Sequence, residues 1–172
     1  AQMLEADKYV DLVIPRGSQS LIDFVRSNSK IPTIETGAGV CHTYVESSAK
    51  LDDAAKIVVN AKTQRPSVCN SLDTVLVDRA IAEDFLPRLI DGFKAFDVEV
   101  FADETAFEIL SKSGYSNLKP ANKDSFGMEY LSQKCSIKVV EGLDEALDHI
   151  QAFSSKHSEA IVTQNMDYAE TF

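Results

Sequence analysis

The residues of this chain with the widest chemical scope are its three cysteines, Cys41, Cys69 and Cys135, and its three histidines, His42, His149 and His157. Cys69 stands apart by its surroundings. It lies in Asn60-Ala61-Lys62-Thr63-Gln64-Arg65-Pro66-Ser67-Val68-Cys69-Asn70, between a helical pattern running into Pro66 and the strand-like run Leu72 to Val77. The residue before a proline is pushed out of the helical region, so the spacing predicts a short turn that displays the thiol. A thiolate is a strong nucleophile, and Arg65 and Lys62 are cations placed to hold it or an anionic substrate. On residue type alone a second reading stays open, a small hydrophobe filling a loop, because free cysteine is among the most buried residue types. Arg65 is a planar cation suited to a carboxylate or phosphate, or to a surface salt bridge. Asn70 either orients a substrate or caps the loop.

Two further groupings invite chemistry. Cys41-His42 has the residue types of a thiolate-imidazole dyad, but the pair falls on a predicted strand, where neighbours point to opposite faces. Cys41 is therefore expected in the core and His42 near the site. Pro15-Arg16-Gly17-Ser18 precedes a helical stripe of Leu21, Ile22, Phe24 and Val25. Ser18 suits an N-cap, and free amides at such a helix start receive a phosphate or another anion, although an ordinary strand-to-helix turn has the same pattern. His149 is expected on a helix surface and His157 in a loop. The chain has no CxxC pair and no His/Cys spacing of a structural zinc site, so no metal is expected.

The 172 residues carry 17 basic and 27 acidic side chains, a formal charge of -10, which argues against nucleic acid or an anionic membrane as partner. Hydrophobic residues make up 44% of the chain, as in an ordinary globular protein. No apolar run approaches the roughly 18 residues needed to span a bilayer. An odd number of thiols is no closed disulfide framework, so a reducing, cytoplasmic location is expected.

Strand patterns are expected at 9–14, 31–35, 40–45, 72–77, 98–101, 136–140 and 160–163. Helical patterns run from Ser47 or Ser48 through Ala61, over 81–93 with Pro87 kinking the helix or delaying its start, and over 104–110, 143–153 and 166–172. Residues 113–127 read as an irregular excursion. After the Thr36-Gly37-Ala38-Gly39 bend, strands alternate with helices, which predicts an α/β fold, an open, mostly parallel sheet with helices on both faces. The bend is the expected boundary, leaving residues 1–37 as a small strand-helix-strand unit and 38–172 as the main domain.

Several runs together resemble gamma-glutamyl phosphate reductase, of the aldehyde dehydrogenase superfamily. They are Val10-Asp11-Leu12-Val13-Ile14-Pro15-Arg16-Gly17-Ser18, Gly39-Val40-Cys41-His42, the stretch from Asn60 to Asn70, Ala146-Leu147-Asp148-His149-Ile150, and His157-Ser158-Glu159-Ala160-Ile161. The resemblance implies NADPH-dependent reduction of gamma-glutamyl phosphate to glutamate-5-semialdehyde in proline biosynthesis, through a thioester on Cys69. Beside it, substrate contacts are expected from Arg65, Asn70 and His42 by their type and placement, and cofactor contacts from Gly17, Ser18, Glu35 and Gly37, where the Gly17-Ser18 turn resembles the superfamily's phosphate-facing loop. Glu35, in a Glu-x-Gly stretch, resembles the general base of hydrolytic aldehyde dehydrogenases. A reductase releasing phosphate hydrolyses nothing, so the expected role is facing the nicotinamide. Residues 1–37 correspond to a remnant of the dinucleotide-binding domain and 38–172 to the catalytic domain. Most of the NADP(H) pocket is expected on a domain outside the chain, the parent enzyme as a homo-oligomer, and the chain alone as inactive. The alternatives are an acylating aldehyde dehydrogenase using an acyl-coenzyme A, and a non-catalytic interaction domain that keeps the fold.

Overall fold

The chain's structure, a computed structural model, describes residues 2–17, 19–35 and 37–172. It divides into two compact units, Ala1–Ala38 and Gly39–Phe172. In the larger unit the short runs rich in branched residues become strands β1 (His42–Val45), β2 (Thr74–Asp78), β3 (Glu99–Ala102), β4 (Leu118–Pro120), β5 (Lys134–Val140) and β6 (Glu159–Val162). They form one six-stranded sheet in the order β4-β3-β5-β2-β1-β6. Every pairing is parallel. A parallel sheet needs crossover connections and cover on both faces, and the period of two along each strand supplies two apolar faces.

Val45, Val75, Val77, Ile137 and Val139 point to one face. They pack against α2 (Leu51–Thr63), α3 (Ala82–Phe85), α4 (Ile90–Ala95) and α5 (Glu104–Lys112). Tyr44, Leu76 and Val140 point to the other, where Leu143 and Ala146 of α6 (Leu143–Phe153) cover them. A final helix, here numbered α7, spans Met166–Thr171. Pro87 breaks the expected 81–93 helix: a tight 3-10 turn over Leu86–Leu89 separates α3 from α4.

In the smaller unit, α1 spans Gln19–Asn28 and buries Ile22 and Val25. Among the described residues, the expected buried strand at 9–14 and the second strand at 31–35 shrink to one parallel bridge between Val13 and Thr33. Tyr9 is 88% exposed, because two short segments and one helix cannot cover both faces of a strand pair.

Three other expectations are corrected. Leu118–Pro120 inside the supposed irregular excursion is an edge strand, where proline's missing donor costs no ladder bond. Neither Ser47 nor Ser48 caps α2, whose N-cap is Lys50. Instead both hydroxyls donate to the buried Glu46 carboxylate, as does Thr163 at 2.7 Å. Burial alone raises this carboxyl, but the hydroxyls and the Ser48 N–H outweigh it and hold the group at about 2. His149, expected on a helix surface, is buried on the inner side of α6, with His42 at 5.5 Å and Phe153 at 4.7 Å between ring centroids.

Burial, reinforced by His42, pushes His149 down from 6.5 to about 3. The folded protein therefore keeps it neutral while the unfolded chain takes up a proton below pH 6.5. Its contribution to stability is complete above 6.5 and is lost as pH falls toward 3, at about 1 kcal/mol per pH unit. Urea titrations of the chain and of His149→Leu at pH 7, 6 and 5 should show a weaker acid dependence in the variant. Equal slopes would contradict this account of His149.

Candidate active site

The helix α2 ends at Thr63, just ahead of the Arg65-Pro66 step, and the chain reaches β2 through residues 64–73. In its last turn Lys62, which follows Val58 and Ala55 on the buried face, is 0% exposed. The ammonium donates to the Leu72 carbonyl at 2.6 Å and lies 3.9 Å from Asp73 Oδ1. Leu72 N–H in turn donates to the Ala61 carbonyl at 3.1 Å. The cysteine loop is thus closed at its neck by residues on both sides of it. Inside the loop, Ser71 N–H bonds the Val68 carbonyl at 3.0 Å.

Asp73 extends the anchorage to other segments. Its carboxylate accepts from Cys41 N–H at 3.3 Å and from Tyr130 N–H at 3.0 Å. Burial pushes the Asp73 carboxyl up, against these two N–H donors and Lys62, and pushes the Lys62 amine down, against the charge of Asp73. Lys62 was expected beside the thiolate or the substrate. It is instead an internal anchor, because helical spacing carries it to the face that packs on the sheet. The i, i+4 relation to Val58 is the sequence signal that marks this position.

Cys69 is exposed, whereas Cys41 and Cys135 are buried. Burial pushes both of those thiols up to about 12. Arg65 and Asn70 share a cleft of about 330 Å³ with Gln64, Val68 and Ser71. Arg65 has no acidic partner among the described residues. The cleft also includes a residue that sequence reasoning missed: Ser71 is buried and its hydroxyl has no hydrogen-bond partner. Nothing in its type or spacing distinguishes it from an ordinary loop serine.

His42 does not join this group. It is 1% exposed, on the sheet face beneath α6, and its Nδ1 lies 3.1 Å from the Glu159 carboxylate without the alignment of a hydrogen bond. The Glu159 carboxylate instead accepts from the main-chain N–H of His42 at 2.9 Å. His42 is a buried residue of the sheet and does not line the cleft that holds Arg65 and Asn70.

The remaining expected site residues belong to the smaller unit. Gly17 precedes α1 with φ of 147°, and a Cβ there would stand 2.8 Å from the Leu21 side chain. Ser18 lies outside the described residues. Glu35 is 3.2 Å from the Arg26 guanidinium, and Gly37 is exposed with open space around its Cα.

No family model matches the chain. Over 173 aligned residues it is 50% identical to the gamma-glutamyl phosphate reductase of Pelodictyon phaeoclathratiforme, covering all of this chain and 41% of that protein. This chain is a gamma-glutamyl phosphate reductase homologue. The Bacteroides fragilis enzyme of the same name is 49% identical over 99% of this chain. The crystal structure of gamma-glutamyl phosphate reductase from Thermotoga maritima superposes with a TM-score of 0.88 at 42% identity, over 99% of this chain and 40% of that one. An acetylating aldehyde dehydrogenase from Geobacillus thermoglucosidasius, 19% identical with a TM-score of 0.67, shares the fold. The homologue therefore has an aldehyde dehydrogenase-like α/β fold and spans about 41% of the length of the curated relatives it matches.

In this reductase homologue the buried pair sets a testable cost. Removing one member leaves the other uncompensated in the interior, so Lys62→Met should lose about 3 kcal/mol in urea unfolding. Lys62→Met combined with Asp73→Asn should recover part of that loss. Equal stability of Lys62→Met and the unchanged chain would show that the pair anchors nothing.

Proposed function

We propose that the chain is the cysteine-bearing part of a gamma-glutamyl phosphate reductase of proline biosynthesis, with Cys69 as the nucleophile. The single observation that carries this reading is that Cys69 is the exposed thiol of an anchored loop whose residues Arg65 and Asn70 line one cleft. In the proposed reaction Sγ of Cys69 attacks the acyl carbon of gamma-glutamyl phosphate. The S–C bond forms as the C–O bond to phosphate breaks, and phosphate departs with the electron pair. Arg65 offers a planar, permanently charged fork to the departing phosphate or to the substrate carboxylate, and Asn70 a side-chain amide to the same cleft. The oxyanion on the acyl carbon is met by the main-chain N–H of Cys69, which makes no hydrogen bond among the described residues. Covalent capture divides one hard reduction into two easier steps.

NADPH, when bound, supplies the hydride that converts such a thioester to glutamate-5-semialdehyde. The residues present fit a limited share of its binding. The Gly17 turn has no Cβ and opens the ten-residue α1, a backbone arrangement that suits one dinucleotide phosphate. Gly17 and Ser18, with Glu35 and Gly37, are the residues we assign to it, in a cofactor-domain portion at 1–37 next to a catalytic portion at 38–172. The rest of the pocket is assigned to the part of the relatives that this chain does not align with, so the chain alone should be inactive as a reductase. The acyl-coenzyme A alternative has a fold-level likeness behind it, at 17% identity to a propionaldehyde dehydrogenase with bound propionyl-CoA.

Iodoacetamide with peptide mapping tests the assignment of the nucleophile. Cys69 should be modified first, with Cys41 and Cys135 untouched until the chain unfolds, and inorganic phosphate should slow the reaction at Cys69. Arg65→Ala should remove that phosphate protection and, in the full-length enzyme, raise KM for the acyl phosphate about tenfold. Modification of all three thiols at similar rates would refute the reading.

A further inference from the structure

The segment just before β1 forms a floor beneath the Cys69 peptide. A Cβ on Gly39 would stand 2.2 Å from the Cys69 carbonyl oxygen and 3.1 Å from its carbon, so no side chain fits there without moving that peptide. Next to it, Cys41 Sγ lies 3.3 Å from the same carbonyl oxygen and 3.4 Å from the Gly39 carbonyl. Cys41 is itself fixed. Its N–H donates to Asp73, and its carbonyl accepts from the N–H groups of Asp73 and Thr74, both at 3.0 Å. Burial keeps the thiol protonated, so it stays a donor, if a weak one, across working pH.

No peptide bond among the described residues is cis, so the Cys69 C=O and the Asn70 N–H point in opposite directions. With the carbonyl turned into the floor, the Asn70 N–H is turned away from it. Among the described residues neither the Asn70 N–H nor the Cys69 N–H makes a hydrogen bond, and both residues are exposed. Were this peptide flipped, a carbonyl oxygen would stand where a donor now stands, and it would repel an oxyanion forming on the Cys69 adduct.

We infer that Cys41 and Gly39 are positioning residues: they hold the Cys69 carbonyl inward so that the Asn70 main-chain N–H, with that of Cys69, serves as a second donor to the oxyanion. This rests on Cys69 being the nucleophile, and the test separates the two ideas without needing the cofactor. p-Nitrophenyl acetate transfers its acetyl group to Sγ through an oxyanion. The S–C bond forms, the C–O bond breaks, p-nitrophenolate leaves with the electron pair, and the thiol proton passes to buffer. Iodoacetamide reacts at the same sulfur by displacement of iodide, with no oxyanion.

Cys41→Ala and Gly39→Ala should each slow the p-nitrophenolate burst about tenfold, a fraction of what loss of a whole oxyanion donor costs, while alkylation of Cys69 stays within about twofold. Cys41→Ser, which keeps a donor, should recover much of the burst rate. If Cys41→Ala fails to fold, Gly39→Ala decides alone. A burst unchanged in both variants, or acylation and alkylation falling in parallel, overturns the inference and leaves the nucleophile in place. No burst at all from the unchanged chain overturns both.

Discussion

An ammonium group with no exposure to water sits under the loop that displays the exposed thiol of Cys69, and the local architecture follows from that placement. Moving Lys62 and Asp73 out of water costs several kcal/mol per ion, more than their attraction across 3.9 Å returns by itself. The difference is made up by neutral partners: the Leu72 carbonyl for the lysine, and the Cys41 and Tyr130 N–H groups for the aspartate. Each partner comes from a different segment, so satisfying the pair brings the end of α2, the entry to β2, the entry to β1 and the residues ahead of β5 to one point. A hydrophobic pair of similar volume would stabilise the core as well, but it would not specify which backbone groups meet there.

The convergence lies at an unusual end of the sheet. In open parallel sheets, ligands generally bind beyond the carboxyl ends of the strands. Here Cys69 precedes β2, Gly39 and Cys41 precede β1, and Tyr130 precedes β5, all at the amino ends. The carboxyl end of β1 is instead closed by Glu46, whose oxygens are taken up by Ser47, Ser48 and Thr163. A site at the amino end has no strand carbonyl ends or crossover helix starts to build on. It depends on loops, which must be fixed by buried side chains and by close backbone contact such as that between Gly39 and Cys69.

Those facts explain what could be read from the sequence. The alternating strands and 3.6-period helices of the main sheet were legible because each signal is local and the two periods differ. The loop carrying Cys69 was legible too, because Pro66 ends a helical pattern in plain view. Features resting on distant partners were not. Lys62 looks like any charged residue at a helix end until Asp73 is known to sit below it. His149 looks solvated until Phe126 and Phe153 close around it. The 9–14 run has the composition of a buried strand, but among the described residues of its unit it pairs only through the Val13–Thr33 bridge. Leu118–Pro120 has the proline of a loop and the hydrogen bonds of an edge.

The claim most in need of a direct measurement is that the displayed sulfur takes an acyl group from phosphate. Incubating the chain with acetyl phosphate, then locating the added acetyl group by mass spectrometry of peptides prepared at mildly acidic pH, would decide it. The account predicts one hydroxylamine-labile acetyl group, on the peptide containing Cys69, and none after Cys69→Ser. Acetylation spread over lysines, or an unmodified Cys69 peptide, would contradict it.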